Sequence, residues 1–274
     1  MPRARIVLVH GIRTSATMWR RQLDALSAHD LDVVAIDLPG HGTRIGGDFS
    51  IDETMTIIDA ALNPAASDAS AGTDARIGAD ARVDTDVPRL LVGLSLGGYL
   101  AIEFAGRHPD RLDGLVAAAC GTLPRGSALS AYQSLAAAIA RTPDRGRALN
   151  DAMAALFLNS DAARDVVAGG VALDVMGPAL AAVGRLDPRA ALAKVRVPIW
   201  FVNGRYDHFR LQERTLLRAA HDARLVIVPG ATHLVSLTRP DDFTAAVLGA
   251  VAELDRRAAV RRRHDARRIG AARA

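Results

Sequence analysis

Short apolar runs recur along this chain, each followed by a longer stretch in which apolar residues return every three or four positions. The runs at 5–9, 33–36, 90–93, 112–118, 199–203 and 225–228 read as strands. The stretches 18–28, 51–62, 97–107 and about 240–254 carry helical spacing, and Asp52 and Glu53 fall in a first turn, where the helix dipole favours acids. Near-continuous apolar strands alternating with helices predict an α/β fold, with a mainly parallel sheet of about six strands covered on both faces.

Two segments break this rhythm. Residues 63–87 are rich in Ala, Asp, Gly and Ser and poor in large apolar side chains, so a flexible loop is expected. Residues 122–190 offer no strand but several helical stretches, at 131–141, 146–157, 162–173 and 178–183. Lying between two strands, this all-α segment reads as a cap over one end of the sheet. The expected layout is a core of 1–121 and 191–254, a cap of 122–190, the loop 63–87 and a basic tail of 255–274.

Charge narrows the classes of partner. The net charge is +4, but residues 255–274 hold eight arginines against Asp255 and Asp265, which leaves the rest of the chain close to neutral. The body therefore has no electrostatic footprint for nucleic acid. The tail reads as a solvated helix end that frays, or as a contact for an anionic partner. Cys120 is the single cysteine, so no disulfide forms within the chain, which fits a reducing compartment. The apolar run at 6–9 is too short for a signal-peptide core or a membrane span. These features read as a soluble, cytoplasmic protein with no membrane contact, and a homo-oligomer stays open.

In an open parallel sheet, ligands bind beyond the carboxyl ends of the strands, so the residues just after each strand carry the chemistry. His10-Gly11-Ile12 follows the first strand and "DLPGHG" (37–42) the second. Ser95 follows the third in "GLSLGG", Asp207 the fifth in "NGRYDH" and His233 the sixth in "PGATHL". A serine hydroxyl is a weak nucleophile at neutral pH. It needs a base within reach, and the base needs an acid that fixes its tautomer and stabilises its cation. Asp187 and Glu103 are other acids to consider, but neither follows a strand. His10 and His41 lack a Cys or carboxylate cluster at ligand spacing, so they read as loop braces and no metal is expected. Cys120, without a base of its own, reads as a small buried apolar residue, and Met18 and Trp19 as packing at a helix start.

Taken together, "LVHG" with a tryptophan eight residues after its glycine, "DLPGHG", "GLSLGG", "VPIWFVNGRYD" and "VPGATH" resemble the α/β-hydrolase family over about residues 5–254. The resemblance implies the α/β-hydrolase fold, here without its first β-hairpin and with a helical cap. It implies Ser95 as nucleophile, Asp207 as acid, His233 as base, and an oxyanion hole formed by the backbone N–H groups of Ile12 and Leu96. A serine hydrolase that cleaves a small to medium carboxylic ester or lactone through an acyl-enzyme is expected, with no organic cofactor. The same residues would also serve a carbon–carbon bond hydrolase acting on a diketone-like substrate. A non-catalytic ligand receptor on the same fold is a further alternative. Arg13 departs from the family, whose members often carry a small residue there. Its side chain either faces solvent or forms a cationic rim that favours substrates bearing a carboxylate.

Overall fold

The computed structural model describes residues 2–64 and 87–272. Most of the expected loop 63–87 lies outside the described residues. Six strands form one sheet: β1 (Arg5–Val9), β2 (Asp32–Ile36), β3 (Arg89–Leu94), β4 (Gly114–Ala118), β5 (Ile199–Gly204) and β6 (Ala223–Val228). Their order is β2-β1-β3-β4-β5-β6, and every neighbouring pair is parallel. The strand order reverses between β1 and β3, the position at which a doubly wound sheet opens a crevice.

The central strands are apolar along their whole length because both faces are covered. All five residues of β4 and all six of β5 are buried. Odd and even positions serve different layers, as the two-residue period of a strand requires. Val7, Val9, Leu91, Leu115 and Phe201 pack on one face, against α2 (Ile51–Leu62) and α3 (Leu96–Arg107). Ile6, Leu8, Leu90, Val92 and Trp200 pack on the other, with Trp19, α1 (Arg20–Ser27) and the first turns of a long C-terminal helix. Trp19 and Phe243 stack there with ring centroids 5.7 Å apart.

Between β4 and β5 the chain makes no strand. It runs through α4 (Gly126–Ala140), α5 (Arg147–Phe157), α6 (Ser160–Ala168), α7 (Met176–Val183) and α8 (Pro188–Leu192). Asp187 starts α8 by accepting the Arg189 and Ala190 N–H groups, an N-cap with proline in the first turn. After β5 come α9 (Glu213–Ala219), β6, the short α10 (Val235–Thr238) and α11 (Pro240–Ala272). The C-terminal basic stretch differs from a fraying tail, since α11 continues through it as helix. Glu253 meets Arg256 and Arg257 one turn on, and Arg257 also pairs with Asp222, 2.7 Å away. Those i,i+3 and i,i+4 pairs extend the helix beyond its apolar face. Among the described residues, no helix is long and apolar enough to cross a membrane.

Candidate active site

In register, Val9 lies beside Ile36 on one side and Gly93 on the other. The loops after β1, β2 and β3 therefore leave the sheet side by side, and Ser95 stands among them. Ser95 has φ 55° and ψ −114°, a left-handed backbone that a non-glycine residue adopts at a cost. The turn is too tight for side chains on either flank. A Cβ on Gly93 would collide with the Gly97 carbonyl, and one on Gly97 with the carbonyls of Val9 and His10. The two glycines thus let strand, turn and helix close in on one another, and they lift the Ser95 hydroxyl above the sheet at the start of α3.

Nε2 of His233 lies 2.9 Å from Oγ of Ser95, and Nδ1 of His233 lies 3.0 Å from Oδ1 of Asp207. The three groups come from the ends of β3, β5 and β6, and the sheet brings them into one hydrogen-bonded chain. Asp207 is buried and also accepts the Phe209 N–H at 2.8 Å. Burial alone would raise its carboxyl pKa, but the hydrogen bond and charge of His233 and the Phe209 N–H outweigh it, and the net shift is downward. Asp207 is thus held as a carboxylate, with its charge directed at the imidazole. The other acids stand elsewhere: Asp187 caps α8, and Glu103 pairs with Arg107.

Ile12 and Leu96 line the same crevice as Ser95. Leu96 opens α3, so its N–H has no acceptor within the helix, and no hydrogen bond engages Ile12 N–H among the described residues. The loop carrying Ile12 is braced by the two histidines. His10 is fully buried. Its Nε2 accepts the Leu38 N–H at 3.1 Å, and its Nδ1 meets the Gly11 carbonyl at 2.7 Å. His41 accepts the Arg13 N–H and meets the Pro39 carbonyl. Burial, then the neighbouring His41, pushes the His10 pKa down to about 3, so the ring is neutral as these bonds require. Among the described residues, no cluster of His, Cys, Asp or Glu could hold a metal ion. Cys120 is buried, and burial followed by the Asp207 charge pushes its thiol pKa up, so it does not ionise to a nucleophile.

Three contributors were not legible as such in the chain. Asp37 accepts the Ala16 N–H at 2.7 Å and the Thr43 N–H at 2.9 Å, which ties the loop after β1 to the loop after β2. Phe209 stacks on His233 with ring centroids 4.7 Å apart. Its place two residues after a strand-end aspartate is the only cue that the sequence offered. Tyr132, from α4, lines the same cavity as Ser95. Together with Leu123, Leu129, Leu180 and Val183 it makes an apolar cavity over the hydroxyl, with Ile12 and Leu96 in its floor. A serine hydroxyl, an imidazole and a buried carboxylate in one hydrogen-bonded chain, beside two N–H groups without acceptors and an apolar cavity, are an arrangement able to carry out acyl transfer.

Comparison with known proteins places this geometry among relatives. The sequence profile of the alpha/beta hydrolase family matches residues 6–247. A pimeloyl-[acyl-carrier protein] methyl ester esterase of Neisseria meningitidis is 29% identical over 260 residues, covering 88% of this chain and 91% of the relative. Among solved structures, the enol-lactonase of Burkholderia xenovorans LB400 superposes with a TM-score of 0.69 at 25% identity, covering 91% of both chains. A thermophilic esterase from Thermogutta terrifontis, solved with malate bound, shares the fold with a TM-score of 0.70 at 21% identity, covering 93% of this chain and 91% of that one.

Proposed function

The chain belongs to the alpha/beta hydrolase family, and from that premise we propose that it hydrolyses carboxylic esters or lactones through an acyl-enzyme on Ser95. The observation that carries this reading is the unbroken chain Ser95–His233–Asp207, with contacts of 2.9 and 3.0 Å. Ser95 Oγ attacks the carbonyl carbon while His233 Nε2 takes its proton. Asp207 holds Nδ1 and stabilises the imidazolium. The carbonyl oxygen, now an anion, is received by the Ile12 and Leu96 N–H groups. His233 then returns the proton to the leaving alkoxide. In the second half it deprotonates a water that attacks the acyl carbon, and Ser95 leaves with the proton.

The apolar walls over Ser95 favour a small to medium acyl group over a polar one. An ester hydrolase from Neisseria and a lactonase from Burkholderia among the relatives support the ester or lactone class. A receptor that merely kept the fold would have no need of a buried carboxylate aimed at a histidine that is itself in contact with a serine.

The test is turnover of p-nitrophenyl acetate and butyrate. Ser95→Ala removes the activity while the melting temperature holds, and a fluorophosphonate probe labels the wild type at Ser95 alone. Asp207→Asn lowers kcat by roughly a thousandfold or more, whereas Asp187→Asn leaves it near normal. Full turnover in Ser95→Ala would overturn the reading.

A further inference from the structure

A second cavity, about 300 Å³, lies beside the first. Three segments of chain each pass from one cavity to the other. Ile12 lines the first and Arg13 the second. On α4, Tyr132 lines the first, and Ala136 and Ile139 the second. On α7, Leu180 lines the first and Gly177 the second. The two spaces thus follow one another along α4 and α7. At the helical rise, the second begins roughly 6–10 Å beyond Tyr132.

The far compartment carries charged side chains, and the near one carries none. Arg13 and Arg145 line it, with Asp174, which pairs with Arg145. That leaves one arginine charge without a partner. Arg13 gives its Nη2 to the carbonyls of Arg145 and Gly146, at 3.1 and 3.5 Å, and its Nε is buried with no partner. Among the described residues, no carboxylate pairs with it. Burial pulls the guanidinium pKa down further than Tyr132 and Asp144 raise it. Arg13 also sits at φ 63°, a backbone region that glycine occupies more cheaply. A long charged side chain is held there against both desolvation and local strain.

We propose that Arg13 is a specificity-determining residue that binds a free carboxylate of the substrate, so that the preferred substrates are esters carrying one terminal carboxylate, such as half-esters of dicarboxylic acids. This rests on the reading that Ser95 is the nucleophile. The reacting ester lies at Ser95, the substrate's apolar chain runs past Tyr132 and Leu180, and the carboxylate meets the Arg13 guanidinium where it lines the second cavity. The residues lining the compartment carry one positive charge in excess, with Asp144 acting on Arg13 from outside the lining, which suits a monoanion better than a dianionic phosphate.

The experiment compares kcat/KM for free acids and their neutral methyl esters, in two series. Monomethyl against dimethyl esters from succinic to suberic acid place the carboxylate on the acyl arm. Acetylated ω-hydroxy acids against their methyl esters place it on the alcohol arm. In one series the wild type prefers the free acid, and the preference peaks at a chain length that spans the two compartments. Arg13→Gly, which the backbone at φ 63° accepts without strain, collapses that acid-to-ester ratio by about ten- to a hundredfold, the effect of losing a charged hydrogen bond. Arg13→Lys keeps part of it. A ratio with no dependence on chain length, or one unchanged in Arg13→Gly, overturns the proposal. Loss of all Ser95-dependent hydrolysis of neutral p-nitrophenyl esters in the wild type would instead overturn the reading beneath it.

Discussion

Nε2 of His41 accepts the backbone N–H of Arg13 at 3.3 Å, and that single bond fixes the residue immediately after Ile12. His41 belongs to the loop after β2, and Ile12 to the loop after β1. A histidine that touches no substrate therefore sets the aim of one proposed oxyanion donor. Its other nitrogen meets the Pro39 carbonyl, so the ring is held at both ends.

Replacing that brace has a defined kinetic signature. His41→Ala lets the Ile12 N–H drift from the developing oxyanion, a contact made only in the transition state. The expected result with neutral p-nitrophenyl esters is a fall in kcat of roughly ten- to a hundredfold, short of the loss of an entire donor, with KM little changed. His41→Asn, which can still accept from an N–H, restores part of the rate. A rise in KM at unchanged kcat would place His41 in substrate binding instead.

The elbow gives a matched pair of glycine substitutions. A methyl group at Gly97 runs into the carbonyls of Val9 and His10, whereas one at Gly249, on the exposed side of α11, meets nothing within 4 Å. Gly97→Ala should lower stability in urea denaturation by about 3 kcal/mol, the upper range for forcing atoms into a closed space. Gly249→Ala should raise it by up to about 1 kcal/mol through helix propensity alone. Equal effects at the two sites would mean that the turn relaxes freely.

Acid should weaken the fold through His10. Its pKa stands near 3 in the native protein against 6.5 in an unfolded chain. Between those values the unfolded chain binds a proton that the native chain refuses, so stability falls as pH is lowered through that window. The slope from this one group is at most about 1.4 kcal/mol per pH unit. His41, also lowered chiefly by burial, adds in the same direction. His10→Gln, an amide able to donate and accept at the same position, should flatten the decline in urea midpoint between neutrality and about pH 5. An unchanged slope would locate the acid sensitivity elsewhere.

Strand positions were readable because each buried strand announces itself locally, by an unbroken apolar run followed by a turn. The strand ends then nominated Ser95, Asp207 and His233, and the structure brings all three within hydrogen-bond distance. What the chain did not disclose depends on contacts between distant segments. The setting of Arg13 was not legible: its half-buried guanidinium reaches the carbonyls of Arg145 and Gly146 and lines the second cavity, not the one over Ser95. That position is set by the carbonyls of Arg145 and Gly146, more than a hundred residues away. The opening of α1 was also misjudged. Ala16–Trp19 forms a turn of 3-10 helix, and the α-helix begins only at Arg20. Helical spacing of Trp19, Leu23 and Leu26 cannot distinguish the two over one turn.

The roof over Ser95 leaves the sheet after β4 and rejoins it at β5, and those strands are direct neighbours in parallel register. Ala118 pairs with Val202 and Leu115 with Ile199, so the segment leaves at one end of the pair and re-enters three residues lower on the neighbouring strand, about 11 Å away. A cassette anchored in this way can be lengthened, shortened or exchanged wholesale with no shift in the register of any strand. The elbow of Ser95, on β3, and the histidine loop, after β6, lie outside the exchanged piece. Replacing that one contiguous stretch would change the walls over Ser95 and leave Ser95, Asp207 and His233 on the unaltered core.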